Sequence, residues 1–415
     1  MSSNRHLGDF FSNRQEPGRA GLPVMSVTMN DSLVNRDDLD LRVESTLRPD
    51  QHLLVKQGDI AYNMMRMWQG ACGLATADGI VSPAYVVLAP KNGIDSRFAY
   101  HWFKSDRMIY LFWAYSHGLT EDRLRLYFDA FAEVPATPPP LQQQRRIAAL
   151  LDAWDQAIDM TERLIAAKRR RYHALITRRL FGTHQPTGQE VSLTAKRVTG
   201  SNGWPLRSIG HFAFEVSRFN RAGVSLPVLS CTKRAGIVLS DEYFGGRRRV
   251  YSEDTSGYKI VERGHFAYAT NHLEEGSIGL QNIVDSGLIS PMYTVFETDN
   301  ELIDRRYLIS VLKTETYRQV FEMNTSSSVE RRGGLRWGDF AALPFALPPL
   351  EEQRRIASAI DALQADLEGI VSLLSSLRIQ KCGLMQKMFS GEWQLNDRFD
   401  LPSFVPQLAP IGSPA

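Results

Sequence analysis

One twelve-residue segment of this chain occurs twice. Residues 137–148, TPPPLQQQRRIA, return at a constant offset of 209 residues (356 − 147) as residues 346–357, ALPPLEEQRRIA. A chain with such an internal repeat is predicted to fold as two similar units. Because a duplicated binding unit holds two targets at a set separation, the spacing between the copies becomes part of the function.

The composition is that of an ordinary globular protein. The 415 residues are 43% hydrophobic and 23% charged, which predicts two to three domains, and the duplication favours two. A net charge of +2, from 48 basic and 46 acidic side chains, neither requires nor excludes a polyanionic partner. Basic residues cluster at positions where they could follow a phosphate backbone or form solvated faces: 168–171, 178–179, 247–249 and 331–332.

The cysteines and the N-terminal residues indicate the cellular setting. Cys72, Cys231 and Cys382 are odd in number and far apart, so neither a disulfide framework nor a zinc site is expected. Polar residues near the start are unlike a signal peptide, and no stretch is long and apolar enough for a membrane span. We therefore expect a soluble, cytoplasmic protein with no membrane association.

Each repeated segment is predicted to begin a helix of about 40 residues, because proline is tolerated at a helix start. Gly182 and Gly391 are expected to end the two helices. Both carry a heptad pattern typical of a coiled coil, and the topology favours antiparallel pairing of the two; the alternative is two long core helices. The predicted seam is Ile147, Leu151, Trp154, Ile158, Thr161, Ile165, Lys168, Tyr172, Leu175 and Arg179 in the first helix, and Ile356, Ile360, Leu363, Leu367, Ile370, Leu374, Leu377, Lys381, Leu384 and Met388 in the second.

A globular region of short strands and helices is predicted ahead of each long helix, and the two regions match in ordered segments. Residues 24–28 match 228–232, 58–63 match 264–269, 82–87 match 290–295, and a helix is predicted at 96–115 and again at 305–323. The residues between these matches differ almost completely. A shared scaffold with divergent loops is typical of two recognition domains that have different targets.

Motifs of catalysis are missing from the sequence. It has no phosphate-binding loop, no His-Glu-x-x-His and no Gly-x-Ser-x-Gly, and its nine histidines are scattered. The two Pro-Pro pairs are followed by leucine, whereas a DNA amino-methyltransferase needs Asn/Asp-Pro-Pro-aromatic. We therefore expect no enzyme activity; a nuclease is an improbable rival, because no carboxylate-lysine or metal set is clustered.

Two kinds of side chain are candidates for DNA contact. Amide, guanidinium and ring groups that suit the reading of bases follow matched strands in each copy, at Asn63, Arg66, Trp68 and Gln69, then at Asn271 and His272. The alternative is that Tyr62, Met64 and Trp68 are core residues. Basic residues suited to phosphates are Arg123, Arg125, Lys233, Arg234, Arg247, Arg248, Arg331 and Arg332.

Four features together resemble the specificity subunit of type I restriction-modification enzymes. They are the doubled Pro-Pro-Leu-x-x-Gln-Arg-Arg-Ile-Ala helix start, the heptad helices, and the motifs Gly-Asp-Ile-x-Tyr-Asn and Ser-Pro-x-Tyr. The resemblance covers nearly the whole chain. It implies a non-catalytic DNA-reading subunit of mixed α/β fold, in which two target recognition domains each contact one half of a split, asymmetric site. The two helices are then the spacer between them.

Carried onto this sequence, the resemblance implies six segments. These are recognition domain one at 1–136, the first spacer helix at 137–182, a linker at 183–202, recognition domain two at 203–345, the second spacer helix at 346–391 and a tail at 392–415.

The resemblance also implies partners. These are double-stranded DNA, two methyltransferase subunits that use S-adenosylmethionine, and restriction subunits that use ATP and Mg; no cofactor or metal is expected in this chain itself. The rival interpretation is a duplicated protein-binding adaptor whose basic patches are incidental.

The two copies differ at their starts. The second opens with residues 203–206, Gly-Trp-Pro-Leu, whereas the first begins almost directly at Leu7. The first domain is therefore expected to lack a lead-in strand, unless residues 392–395, Glu-Trp-Gln-Leu, supply a substitute.

Overall fold

The computed structural model describes residues 5–28, 33–38, 47–120, 123–181, 204–245, 252, 254–325 and 334–395. Within them, short strands and helices precede each of two long helices. In the first region these elements are α1 (Leu7–Phe10), β1 (Phe11–Asn13), β2 (Met25–Val27), β3 (Leu33–Asn35), β4 (Leu53–Val55), β5 (Ile60–Asn63), β6 (Cys72–Leu74), β7 (Gly79–Val81), β8 (Tyr85–Pro90), α2 (Ser96–Phe103), α3 (Asp106–Ala114) and α4 (Phe128–Ala132). The first long helix, α5, is Leu141–Phe181.

The second region repeats this order. Its elements are β9 (Leu206–Ser208), β10 (Ala213–Glu215), β11 (Leu229–Thr232), β12 (Gly236–Leu239), α6 (Ser240–Tyr243), β13 (Lys259–Glu262), β14 (Phe266–Ala269), β15 (Ile278–Leu280), β16 (Ser286–Ile289), β17 (Tyr293–Thr298), α7 (Arg305–Leu312), α8 (Glu315–Asn324), α9 (Trp337–Ala342) and β18 (Pro344–Ala346), before the second long helix, α10 (Leu350–Phe389).

The two sheets have the same topology. The first is an antiparallel sheet of order β1-β8-β5-β6 with the pairs β2-β3 and β4-β7 beside it. The second has order β10-β17-β14-β15 with the pairs β11-β12 and β13-β16. The predicted mixed α/β fold and its internal duplication are thus confirmed by strand order as well as by sequence.

Each central strand is buried on both faces. In β5, Ile60 and Tyr62 pack into one core with the helices, while Ala61 between them packs into a second core with the small strand pairs. The alternating side chains of a strand point to opposite faces of its sheet. Phe266 and Ala267 of β14 divide between two cores in the same way. This explains why β5 and β14 have apolar or aromatic residues at three consecutive positions, 60–62 and 266–268.

The glycines that begin the matched segments are required by the backbone. Gly58 has φ of +89° and Gly264 has φ of +92°, a left-handed conformation that glycine adopts without steric cost. Each turns the chain into its central strand. The match between 58–63 and 264–269 therefore reflects backbone geometry as well as side-chain packing.

The chain divides into two compact units, residues 1–163 with 372–415 and residues 164–371, so each long helix contributes to both. In the first unit, Asp155 of α5 forms an ion pair with Lys381 of α10, and Glu162 pairs with Arg378. As the residue number rises in one helix it falls in the other. Within this unit the helices therefore pair antiparallel, as predicted.

The second unit has the same antiparallel pairing. Lys168 forms an ion pair with Asp366, and the Gln364 amide donates to the Tyr172 hydroxyl at 2.8 Å. Every predicted seam position of α10 is buried or half-buried, so its heptad pattern is confirmed.

The predicted seam is wrong at the end of α5. Arg179 is exposed, and the buried residues there are Ile176 and Leu180, which join the core of the second region. A straight helix has 3.6 residues per turn, so a strict seven-residue pattern drifts around its surface. Where α5 packs on a globular core instead of α10 alone, its buried stripe follows the 3.6 period.

The start of the first region departs from the sequence expectation. The Leu7 amide donates to Val134 O and the Ala136 amide to Arg5 O, both at 2.9 Å, with a β-bridge between His6 and Pro135. In the second region β9 and β18 form the corresponding pair. In the first region a single β-bridge, between His6 and Pro135, thus takes the place of the β9–β18 strand pair.

The tail also contributes to the first region. Leu395 packs against the first core, as Trp204 and Leu206 pack against the second core. Trp393 is half-exposed, and the Lys387 ammonium lies 4.8 Å from its ring centroid. Residues 392–395 therefore form no strand, and the tail contributes Leu395 to the packing of the first core.

In the part of the chain that the structure describes, no helix combines the length and the apolar composition needed to cross a bilayer.

Candidate nucleic-acid interface

The loop between β5 and β6, residues 64–71, holds three of the four base-contact candidates of the first region. Its backbone is a compact turn in which Asn63 N donates to Ala71 O, Gly70 N donates to Met67 O, and Cys72 N donates to Gly70 O, at 2.8–3.1 Å. Met67 is fully buried, and Gly70 has φ of +85°. The turn is thus anchored by one apolar side chain and closed by one glycine.

The loop between β14 and β15, residues 270–277, has the same backbone. Ala269 N donates to Ser277 O, Gly276 N to Leu273 O, and Ile278 N to Gly276 O, at 2.8–2.9 Å. Leu273 is fully buried, and Gly276 has φ of +89°. Every anchoring feature of the first loop therefore has a counterpart at the equivalent position of the second.

The side chains that these loops present outward are different. At equivalent positions, the first loop has Met65, Arg66, Trp68 and Gln69 where the second has Asn271, His272, Glu274 and Glu275. Met65, Arg66, His272 and Glu275 are exposed. One backbone thus carries a thioether, a guanidinium, an indole and an amide in one copy, and an amide, an imidazole and two carboxylates in the other.

Several candidates of the first loop also have internal roles. The Asn63 carboxamide oxygen accepts from Met65 N at 2.9 Å, and the half-buried Trp68 donates its indole N–H to Met65 O at 3.0 Å. Of the three residues weighed as core packing, Tyr62 is fully buried and Met64 packs against the same core. Burial holds the pKa of the Tyr62 hydroxyl well above the usual range. The outward-facing polar groups of this loop are therefore those of Arg66 and Gln69, whose side chains contact each other at 3.4 Å.

Two of the basic candidates lie beside the first loop. Leu126 N donates to Met64 O at 2.9 Å, which holds the segment with Arg123 and Arg125 against the loop. Both arginines are exposed, and Arg125 is paired with His117 by two backbone hydrogen bonds of 2.9 Å. The structure thus places the segment of Arg123 and Arg125 next to the loop that carries Arg66.

In the second region, Lys233 and Arg234 are at the tip of the β11–β12 hairpin, and both are exposed. The Lys233 ammonium forms an ion pair with Glu275 of the second loop. The hairpin tip and the loop are also joined by Lys313, whose ammonium donates to Lys233 O at 3.0 Å and to Gly276 O at 2.8 Å. Burial lowers the pKa of Lys313.

A shallow pocket of about 270 Å³ lies next to the second loop. It is lined by Thr270, Asn271 and His272 of the loop, by Tyr258, and by the exposed Met292 on the facing turn. Thr270 donates its hydroxyl to Met292 O at 3.0 Å, which fixes that turn. The pocket therefore offers polar and apolar contacts to a group that approaches the loop.

One group of side chains in the second loop has the donor types of a metal site. His272, Glu274 and Glu275 have potential ligand atoms within 4.8 Å of one another. Glu275 is engaged by Lys233, and His272 Nδ1 lies 3.7 Å from it. Two of the three side chains are exposed. The ion pair with Lys233 accounts for the position of the Glu275 carboxylate, so the group does not require a metal ion.

Sequence reasoning missed Lys313 and Arg318, which tie the second loop in place; the Arg318 guanidinium donates to Glu274 O at 3.1 Å. A lysine and an arginine on ordinary helices give no sequence signal for this role. Four predicted candidates, Arg247, Arg248, Arg331 and Arg332, lie outside the described residues, as do the linker at 183–202 and the tail beyond residue 395.

Comparison with known proteins places this geometry in a class. Residues 43–167, which include the first loop, Arg123, Arg125 and about two thirds of α5, match the type I restriction modification DNA specificity domain. Over this stretch the chain is similar to that domain, in agreement with the resemblance seen in the sequence.

The fold is similar to two solved structures over almost their whole lengths. One is a chain from work on the structural basis of complex assembly and conformational transition of the type I R-M system, with 16% identity, a TM-score of 0.53, and coverage of 94% of this chain and 97% of that one. The other is a type I restriction-modification S subunit from M. genitalium, with 16% identity, a TM-score of 0.51, and coverage of 93% and 96%. No curated protein has a sequence that matches this chain.

Proposed function

We propose that this chain is the DNA sequence-specificity subunit of a type I restriction-modification complex, in which each region reads one half of a bipartite, asymmetric site. The observation that carries the proposal is the pair of loops with one backbone and different outward side chains. Two identical loops would read identical half-sites, whereas these two differ at every outward position. The specificity domain at residues 43–167 supplies the target class, DNA.

The chemistry of the two loops suits different bases. Arginine and glutamine, as at Arg66 and Gln69, can make paired hydrogen bonds to guanine and adenine in the major groove. Glu274 and Glu275 can only accept when ionised, and amino groups of cytosine and adenine are the donors there. The basic side chains around each loop, such as Arg123 and Arg234, would hold phosphates without reading sequence.

The chain acts without catalysing a reaction. Its helices dock two methyltransferase subunits, which bring S-adenosylmethionine, and restriction subunits that join the complex bring ATP and Mg. The chain itself binds no cofactor or metal. Its contribution is the choice of site and the distance between the two half-sites.

The decisive experiment maps methylated adenines in DNA from cells that express this chain with its neighbouring methyltransferase. We expect one split motif whose halves differ in sequence, and loss of all its methylation when the chain is deleted. Methylation that is unaffected by the deletion would contradict the proposal.

A second measurement separates DNA reading from a protein-adaptor role. Affinity of the assembled complex for its motif should fall steeply with salt, because phosphate contacts release counterions. The adaptor role would be supported if the complex does not bind DNA, or if its DNA binding is non-specific or independent of salt concentration.

A further inference from the structure

The repeated segment contains one glutamine whose side chain is almost inaccessible in both copies: Gln144 is 1% exposed and Gln353 is 0% exposed. Each lies in the first turn of a long helix, where neighbouring polar residues face solvent. A buried amide requires hydrogen-bond partners for both its oxygen and its nitrogen. The structure supplies them from the globular region that precedes the helix.

In the first copy, the Gln144 amide joins three backbone groups. Its oxygen accepts from Asp95 N at 2.8 Å, and its nitrogen donates to Gly93 O at 3.0 Å and to Pro139 O at 2.7 Å. Gly93 and Asp95 form the turn that leads into α2. One side chain of α5 therefore holds the start of a helix in the recognition region.

In the second copy, Gln353 repeats this arrangement atom for atom. Its oxygen accepts from Asp304 N at 2.8 Å, and its nitrogen donates to Leu302 O at 3.0 Å and to Pro348 O at 2.8 Å. These bonds have nearly the same lengths as those of Gln144, although almost all the loop residues differ between the copies. The joint is therefore a feature of the scaffold and is independent of the loops it carries.

A second contact fixes the direction of each helix. The Arg97 guanidinium contacts the Asp152 carboxylate at 3.3 Å, and the Arg306 guanidinium contacts Asp361 at 3.0 Å. Each carboxylate is eight residues beyond its glutamine, about 12 Å along the helix axis. A single joint would let the region swivel on its helix, whereas two joints on one helix prevent it.

We propose that Gln144 and Gln353 are positioning residues that fix the angle between each recognition region and its helix, and thereby the gap between half-sites that the complex accepts. This inference rests on the proposed function. A base pair occupies about 3.4 Å of the DNA axis, so a reading loop that moves by that distance changes the accepted gap by one base pair. Surface ion pairs are weak, so the buried amides are the main restraint.

The first test measures the gap directly. The assembled methyltransferase complex methylates a plasmid library in which the two half-sites are separated by every gap within three base pairs of the natural one. We expect the unaltered chain to use one gap. In Gln144→Ala, the ratio of methylation at the neighbouring gaps to methylation at the natural gap should be at least five times that of the unaltered chain. Gln142→Ala, an exposed glutamine in the same turn, is the matched control and should keep one gap.

The second test needs no DNA. Spin labels at Asp50→Cys and Met160→Cys, both exposed, in the full chain with Cys382→Ser, report the distance between region and helix within the first unit. Gln144→Ala should broaden the distance distribution, and Gln142→Ala should leave it unchanged. Where Gln144→Ala does not fold, Arg97→Ala replaces it in both tests, with a smaller broadening expected.

The outcomes distinguish the two proposals. A single gap and an unchanged distance width in a folded Gln144→Ala or Arg97→Ala chain would overturn the positioning role. Methylation by the unaltered complex that is independent of the split motif would instead overturn the proposed function, and the distance measurement would still decide the role of the glutamine.

Discussion

At the scale of single residues, the difference between buried and exposed polar groups decides which contacts hold this protein together. Asp59 is almost fully buried and forms an ion pair with Arg14 at 2.7 Å, while also accepting from Lys56 N at 2.9 Å. The Asp59 carboxylate raises the pKa of Arg14. Asp285 forms an ion pair with Arg263 at 3.0 Å, yet its side chain is 97% exposed. The two pairs look alike in geometry and differ in solvation.

Asp59→Ala is therefore expected to lower the free energy of unfolding by about 1.5 to 3 kcal/mol, because it removes the buried one of the two carboxylates that pair with Arg14 and leaves only the half-exposed Glu16. Asp285→Ala is the control, and its effect should be below about 1 kcal/mol. Chemical denaturation of both variants measures the difference. Equal effects would show that burial of the pair is unimportant.

The three cysteines should differ in reactivity. Burial raises the pKa of Cys72 to about 11 and that of Cys231 to about 12, whereas Cys382 is exposed. Since the thiolate is the reactive form, and its population falls tenfold for each unit of pKa above the pH, only Cys382 is expected to react quickly at pH 8. Mass spectrometry after brief alkylation of the folded chain should find one modified site, and three after denaturation. Rapid native labelling of Cys72 would contradict this.

At the scale of elements, the loops between β5 and β6 and between β14 and β15 show how one scaffold serves two targets. The buried anchor and the glycine are kept, as Met67 with Gly70 and as Leu273 with Gly276, and the outward residues are free to change. Specificity can therefore change without any change in the fold. Each loop can be exchanged as a separate element.

Exchange of residues 58–85 for those of another recognition domain should change one half-site and leave the other intact. A narrower exchange, residues 64–71 replaced by residues 270–277 of the same chain, keeps the backbone of the turn, substitutes one buried apolar anchor for the other and changes the outward groups. We expect it to alter the first half-site alone. Sequencing of methylated sites measures this, and a change in both halves would contradict independent reading.

Lys313 joins two elements of the second region by donating to Lys233 O and Gly276 O. Lys313→Met keeps the length of the side chain and removes both hydrogen bonds, so the hairpin tip and the loop should separate. We expect affinity for the second half-site to fall about ten-fold, or about 1.4 kcal/mol, because only part of the free energy of two hydrogen bonds from a charged donor is lost on binding. Lys104→Met is the matched control, because Lys104 donates to Tyr100 and should affect only the first half-site. An equal loss at both half-sites would exclude a local role.

At the scale of the whole molecule, the chain is a repeat in which every recognition region is followed by a long helix. Ion pairs join α5 to α10 in each unit, at Asp155 and Glu162 in one and at Lys168 in the other. In both units the residue numbers of α10 fall as those of α5 rise. A change in the length of one helix must therefore be matched in the other to keep these pairs.

The sequence predicts that four residues inserted within 155–175 lengthen α5 by about 6 Å and shift the preferred gap by about two base pairs. The ion pairs indicate where the insertions should go: four residues after Arg163 should be matched by four after Val371, which keeps Glu162 with Arg378 and Lys168 with Asp366. Methylation mapping should find a gap about two base pairs longer. Four residues added within 183–202, the predicted linker, should leave the gap as it was, and an unchanged gap in the active double insertion would defeat the spacer model.

The sequence alone was sufficient for the repeat, the two helices and the class of fold. These depend on local, periodic signals: proline at a helix start, a heptad pattern along α10, and alternating apolar runs in the strands. The predicted seam failed only at Arg179, where the core of the second region, formed by residues distant in sequence, sets which face of α5 is buried.

The candidate site was predicted less completely, and the reason is physical. Residue type identified Arg66, Arg123 and Arg125, but only the tertiary hydrogen bond between Leu126 and Met64 brings their two segments next to each other. The repeated motif marked Gln144 and Gln353 without a role, since their partners, Asp95 and Asp304, lie 49 residues earlier. A sequence determines which residues repeat and with what period; which distant backbone groups a buried side chain must satisfy is decided only when the chain has folded.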